Sequence, residues 1–353
     1  MVEDDGKRFV IRDARLQDLD DIFRLSKSLN SLNLPADRHA LEQVLTASEN
    51  SFSLEEKEAN SRQFLFVLTE EMDRVIGSSQ IFAKHGTLAS PHHYFQVAVD
   101  ERYSSTLKKY FRHPTLRLCQ SFDGPTEIGS LVLQNEFRSG KAKLGILLSY
   151  VRFLYMAIKP DFFCQRVLAE LLPPLGPNFE SPLWDAVGRK FTGLDYYEAD
   201  MLSRDNKEFI KTLFPQCEIY VSLLPKSAQD VIGRVGHNSK GAAHLLSKIG
   251  FKYSERVDPF DGGPHFEAEQ KQISLIQQSV HGRARILETI PEAGSHRGIC
   301  GRFLPQRPSG ERMMAVMARF VLERERQYLH IEPEALRALR MQENDELWAV
   351  SID

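Results

Sequence analysis

Cysteine is scarce in this chain: Cys119, Cys164, Cys217 and Cys300 are the four in 353 residues, far apart and without a C-x-x-C pair. That excludes a disulfide scaffold and leaves buried, inert thiols as the reading. Histidine offers no zinc spacing either, because the neighbours His92 and His93 must point apart on any regular element, so no metal site is expected. Long apolar runs are missing: residues 146–158 are interrupted by Arg152 and too short to cross a bilayer. The opening Met1-Val-Glu-Asp-Asp-Gly6 is acidic, unlike a signal peptide, so a cytoplasmic protein with no membrane partner is expected. An excess of one charge is also lacking. Forty-five Lys and Arg face 48 Asp and Glu, a formal net charge of -3, which gives no overall pull toward nucleic acid. The glycine signatures G-x-x-x-x-G-K-[ST] and G-x-G-x-x-G are absent, as are internal repeats and low-complexity linkers.

What remains is a globular composition, 42% hydrophobic and 26% charged, long enough for about two domains. The most informative stretch runs from Thr126 to Met156. Ile128, Leu131 and Leu133 follow the turn signal Asp123-Gly124-Pro125 and read as a strand. Leu144, Leu147, Leu148, Val151, Leu154 and Tyr155 recur at helical spacing. Between them lies Arg138-Ser-Gly140-Lys141-Ala-Lys143-Leu-Gly145. A strand ending in such a loop aims free backbone N–H groups and the positive end of a helix dipole at one place, a phosphate site in outline. Arg138, Lys141 and Lys143 add mobile positive charge. An ordinary strand-to-helix turn with solvated lysines is the competing reading. The loop is similar to the Arg-x-x-Gly-x-Gly/Ala loop with which acetyltransferase-like N-acyltransferases hold the diphosphate of coenzyme A.

Along the rest of the chain, residues 9–12 read as a strand and residues 13–25 as a helix with Leu16, Leu19, Ile22, Phe23 and Leu25 on one face. Residues 38–45 form a second helix, and residues 64–68 and 75–82 a hairpin around the charged turn 70–74. Residues 166–172 read as a parallel strand and residues 181–191 as a helix capped by Ser181 with Pro182 in its first turn. Glu170, at the end of that strand, is a candidate acceptor for a substrate proton, although such a carboxylate is commonly just solvated. Beyond residue 285, turn residues become denser. The fold class expected is α/β (α+β), with residues 1–284 divisible into two subdomains and residues 285–353 as a small β-rich unit.

Pieces spread along the chain resemble the bacterial arginine N-succinyltransferases. They include Val-Ile-Arg12, Glu127-x-x-Ser-Leu131-x-Leu133, Arg152-Phe-x-x-Met156-Ala, Ser181-Pro-x-Trp-x-Ala-Val-Gly188, Ala228-Gln-Asp-Val-Ile-Gly233 and Asp258-x-Phe-Asp-Gly-Gly-Pro264. The resemblance implies an acetyltransferase-like mixed sheet flanked by helices. It further implies transfer of succinyl from succinyl-CoA, a co-substrate rather than a bound cofactor, to the α-amino group of L-arginine. The family's acyl-CoA position corresponds to Leu131, with Leu133, Arg138, Gly140, Lys141, Lys143 and Gly145 carrying the rest of the coenzyme. A backbone donor there would stabilise the oxyanion, an effect worth roughly 10²–10³ in rate. The loop at 138–145 is longer than the family pattern. The family's proton-donor histidine, the first residue of a His-Pro pair, falls on Gly236, with His237 one position on. A one-residue shift makes His237 the acid, which an unperturbed pKa of about 6.5 suits. The bland alternative is an exposed loop histidine. Asp261 can pair with a guanidinium, or Asp261-Gly-Gly can be plain turn chemistry. Homo-oligomers, or hetero-oligomers with a paralogous subunit, follow from the family. The rivals are another amine, such as ornithine, another acyl group, or a non-catalytic subunit.

Overall fold

The structure is a computed structural model that describes every residue except 1–2, 5–6, 28–33, 57, 71–73, 89, 139, 141, 177–179, 204–205, 308–309 and 353. The chain divides into two compact units. One contains Met1–Lys84, Ile128–Gln165 and Glu269–Asp353, the other His85–Glu127 and Arg166–Ala268. No helix among the described residues is long and apolar enough to cross a membrane.

In the first unit the strand Gln63–Glu70 is buried almost throughout, as a near-continuous apolar run requires of a strand covered on both faces. It pairs antiparallel with Arg74–Phe82 and with Lys7–Asp13, which confirms the expected hairpin and opening strand. Alternation sends Leu65 and Val67 into a cluster with Ile22, Leu25, Leu41 and Leu45, the apolar faces of the helices Leu19–Ser26 and Arg38–Phe52. Phe64 and Phe66 instead pack on Tyr155 of the helix Leu144–Ile158, at ring distances of 4.9 and 5.6 Å. Asp37 caps the helix Arg38–Phe52 by accepting from the Ala40 N–H at 2.8 Å.

The later strands of this unit close on themselves. His296–Phe303 pairs with Glu346–Ser351, that strand with Val280–Ile286, then Tyr328–Ile331, then Met313–Glu323, which pairs back to His296–Phe303. A closed barrel leaves its members no free edge. Its interior holds Ala284, Cys300, Val316, Leu329 and Leu347. Met313–Glu323 also pairs with Lys7–Asp13, and Asp13 accepts from the N–H groups of Arg312 and Met313 at 2.8 and 3.0 Å.

The second unit is built on the long hairpin of His92–Ser104 and Lys109–Ser121. Outward from it on one side come Lys252–Val257, Pro264–Glu269 and Arg166–Glu170; on the other lies Ile219–Tyr220. Arg166–Glu170 runs parallel to the start of Thr126–Leu133, with Thr126 opposite Val167 and Glu127 opposite Leu168, as expected for a parallel neighbour. Trp184 anchors the core, stacked on Phe260 at 4.9 Å and tilted against Phe214 at 5.7 Å. The helix expected over residues 181–191 is divided into Pro182–Ala186 and Gly188–Thr192, because Val187 leaves the helical region at φ -123°, ψ -73°. Ser181 does cap the first piece, accepting from the Trp184 N–H at 3.0 Å. The architecture is therefore a mixed α/β sheet flanked by helices.

Candidate active site

From Ile128 onward, in the first unit, the sequence places a strand, a loop and a helix together. The strand Thr126–Leu133 is followed by a short 3-10 turn at Asn135–Phe137 and then by the helix Leu144–Ile158. Ser130 holds a left-handed backbone, φ 50°, which turns its carbonyl toward the Ser78 hydroxyl at 3.1 Å while its own hydroxyl donates to Gln80 Oε1 at 2.9 Å. A non-glycine residue held there at a cost of about 1–3 kcal/mol marks a position that the surroundings dictate. Leu131 is half-buried and Leu133 buried. Arg138 donates through Nε to the Leu133 carbonyl at 2.9 Å, folding the loop back on the strand end. Gly140 and Lys143 are exposed, and the space around Gly145 is open where a Cβ would stand. Lys143 is the N-cap in the left-handed region, and its side chain makes no cap bond. Lys141 lies outside the described residues.

In the second unit, five side chains that are distant in sequence converge. A turn through Gly86 sets His85 against His92 at a ring distance of 4.4 Å; a Cβ on Gly86 would meet that of His92 at 2.9 Å. His85 Nδ1 contacts Glu127 Oε2 at 2.7 Å. His92 Nε2 contacts Glu170 Oε1 at 3.1 Å, and His265 Nε2 lies 3.4 Å from the same oxygen. The rings of His92 and His265 stack at 5.3 Å. Strand alternation carries His93 to the other face, where both ring nitrogens are buried without a partner.

Burial controls the charges in this cluster. It drives His92 down to about 3 and also lowers His265, so both imidazoles are neutral near pH 7. Burial opposes the His85 imidazolium as well, but Glu127 outweighs it and raises His85 above its ordinary value. Burial likewise acts to raise the Glu170 carboxyl, and the imidazoles of His265 and His92 overcome it and hold Glu170 below the usual range. An ionised carboxylate thus sits among imidazoles, a poor base but a strong acceptor and ligand. Glu170 was legible as a candidate in the sequence. The histidines were not, because their elements meet only in the sheet.

The remaining candidates lie elsewhere in the second unit. His237 is exposed at the start of the 3-10 turn His237–Ser239. Gly236 is buried, with its N–H on the Leu172 carbonyl at 2.8 Å. A Cβ there would come within 2.4 Å of the Pro173 carbonyl oxygen, so position 236 has no room for a histidine. Asp261 is buried in the turn between Lys252–Val257 and Pro264–Glu269 and accepts from the Gly263 N–H at 2.7 Å, the geometry of an Asx turn. Burial first, and then Asp258, pushes the Asp261 carboxyl well above its ordinary value.

Residues 9–275 match the family described as arginine N-succinyltransferase beta subunit. Arginine N-succinyltransferase subunit beta of Pseudomonas aeruginosa is 33% identical over 273 residues, covering 76% of this chain and 79% of that one. Arginine N-succinyltransferase of Yersinia enterocolitica is 30% identical over 351 residues, covering 97% of each. Among solved structures, arginine/ornithine succinyltransferase subunit AI from Pseudomonas aeruginosa superposes with a TM-score of 0.81 at 28% identity, over 99% of this chain and 100% of its own.

Proposed function

Because this chain belongs to the arginine N-succinyltransferase family, we propose that it transfers the succinyl group of succinyl-CoA to the α-amino group of L-arginine. Its class is acyltransferase, with an acyl-CoA as co-substrate. The observation that carries the reading is the strand Thr126–Leu133 opening through an exposed glycine and lysine loop into the helix Leu144–Ile158, within the matched residues 9–275.

In this reading the backbone beyond Ser130, at Leu131, polarises the thioester carbonyl, and the neutral amine of the acceptor attacks it directly, its surplus proton passing to water as the C–S bond breaks. Donors fixed before reaction stabilise the oxyanion without reorganising. Leu133 lines the pantetheine path. Arg138 braces the strand end, while Gly140, Lys141, Lys143 and the first N–H groups of the helix around Gly145 hold the diphosphate. His237 protonates the departing thiolate, exposure leaving its ring free to do so. Glu170 and Asp261 serve the acceptor's cationic end, Glu170 as the ionised group.

The experiment is to follow thiol release with arginine and several acyl-CoAs. Turnover is expected with succinyl-CoA; its absence with that pair overturns the substrate assignment. Replacing His237 by Ala is expected to lower kcat by roughly 10²-fold or more, and unchanged turnover removes the residue from the mechanism. Ornithine is the second acceptor to try, since the name of the superposed solved structure includes it. Relatives named as subunits alpha and beta support assembly with a second copy or a paralogous subunit.

A further inference from the structure

Acyl transfer to an amine makes no use of the three histidines gathered in the second unit, and their arrangement suits a different task. A ring nitrogen of His85, a ring nitrogen of His92 and a carboxylate oxygen of Glu170 all lie within 4.8 Å of one another. His265 adds a fourth donor: it is fully buried, neither ring nitrogen has a hydrogen-bond partner, and Nε2 is 3.4 Å from Glu170 Oε1. A buried polar group left unsatisfied costs about 1–3 kcal/mol, and one of these nitrogens, Nε2, lies beside the Glu170 carboxylate, where a ligand would satisfy it.

We propose that His85, His92 and Glu170 bind a divalent ion of the zinc class, with His265 as the fourth ligand. The donor set is mostly imidazole with one carboxylate, which suits zinc, cobalt or nickel and disfavours magnesium or calcium. Glu127 completes the arrangement. It takes Nδ1 of His85 at 2.7 Å, leaving Nε2 as the lone pair that ring has to offer, in the manner of the carboxylate that orients a metal-bound imidazole. Gly86 lets the His85 loop close on His92. Glu170 is common to this site and to the proposed acceptor site, whereas metal binding itself is read without any substrate.

The test uses the full chain without a polyhistidine tag, stripped with a chelator and titrated with zinc and with cobalt. One ion per chain is expected, with the visible absorption of cobalt in a nitrogen-rich site, a raised melting temperature, and no competition from excess magnesium. His92→Ala and Glu170→Gln should abolish saturable binding, and Glu127→Gln should weaken it roughly 10–100-fold. His93→Ala, on the opposite face of the strand, should bind as the parent does. Absence of saturable zinc and cobalt binding by the parent chain overturns the site, and so does equal affinity in a folded His92→Ala variant. If that variant does not fold, the cobalt spectrum of the parent decides: bands of imidazole coordination support the site, and their absence rejects it.

Discussion

A methyl group on Gly236 would sit 2.4 Å from the Pro173 carbonyl oxygen and 2.9 Å from that of Leu172, both backbone atoms that cannot swing aside. Gly236→Ala is therefore expected to destabilise the chain by about 1–3 kcal/mol in urea denaturation. No effect would mean that the 236–237 segment packs differently. The same contact explains why the family's proton donor cannot stand at this position and why His237 is the residue to test. Asp258 offers a second measurement. Burial, then Glu170, raises its carboxyl to about 7, above an unfolded value of about 3.9. The folded state holds this proton more tightly. Its contribution to stability is therefore complete below about pH 4 and is lost as pH rises toward 7, at most about 1.4 kcal/mol per pH unit. Asp258→Asn keeps the oxygen that accepts from the Phe260 and Asp261 N–H groups at 2.7 and 3.1 Å. Melting temperatures across pH 4 to 7 should fall less steeply in this variant than in the parent. Parallel curves would remove Asp258 from the account.

At the scale of the element, the helix Leu144–Ile158 begins from a lysine in the left-handed region, φ 53°, with no side-chain cap bond. Two effects of Lys143 can be separated. Lys143→Gly relieves a backbone cost of about 1 kcal/mol, so stability should rise slightly. The same change removes a charge proposed to face the coenzyme diphosphate, so KM for succinyl-CoA should rise while kcat holds. A variant with unchanged KM would return the loop to the plain-turn reading. The strand was legible from its apolar residues after the turn signal Asp123-Gly124-Pro125, and the helix from apolar spacing near 3.6. The 181–191 helix read as one piece because its apolar spacing outweighed the one local sign of a break, Gly188 directly after Val187, where a Cβ would come within 2.3 Å of the Trp184 ring.

Over the whole molecule, each unit has its own apolar core, and the chain enters the second unit twice. Trp184→Ala should cost about 3–5 kcal/mol, with lost hydrogen-exchange protection concentrated in residues 85–127 and 166–268. Uniform loss across the chain would show that the units open as one. Local periodicity, caps and turn residues determined the hairpin, the strand-loop-helix and the Ser181 cap, because those signals act over a few residues and are written in order; the family came from the resemblance of motifs spread along the chain. Closure of the C-terminal strands into a barrel, and the meeting of His85, His92 and His265 with Glu127 and Glu170, were decided by tertiary structure alone. Strand order within a sheet is set by which buried faces fit, and that brings together side chains whose sequence neighbours carry no sign of one another.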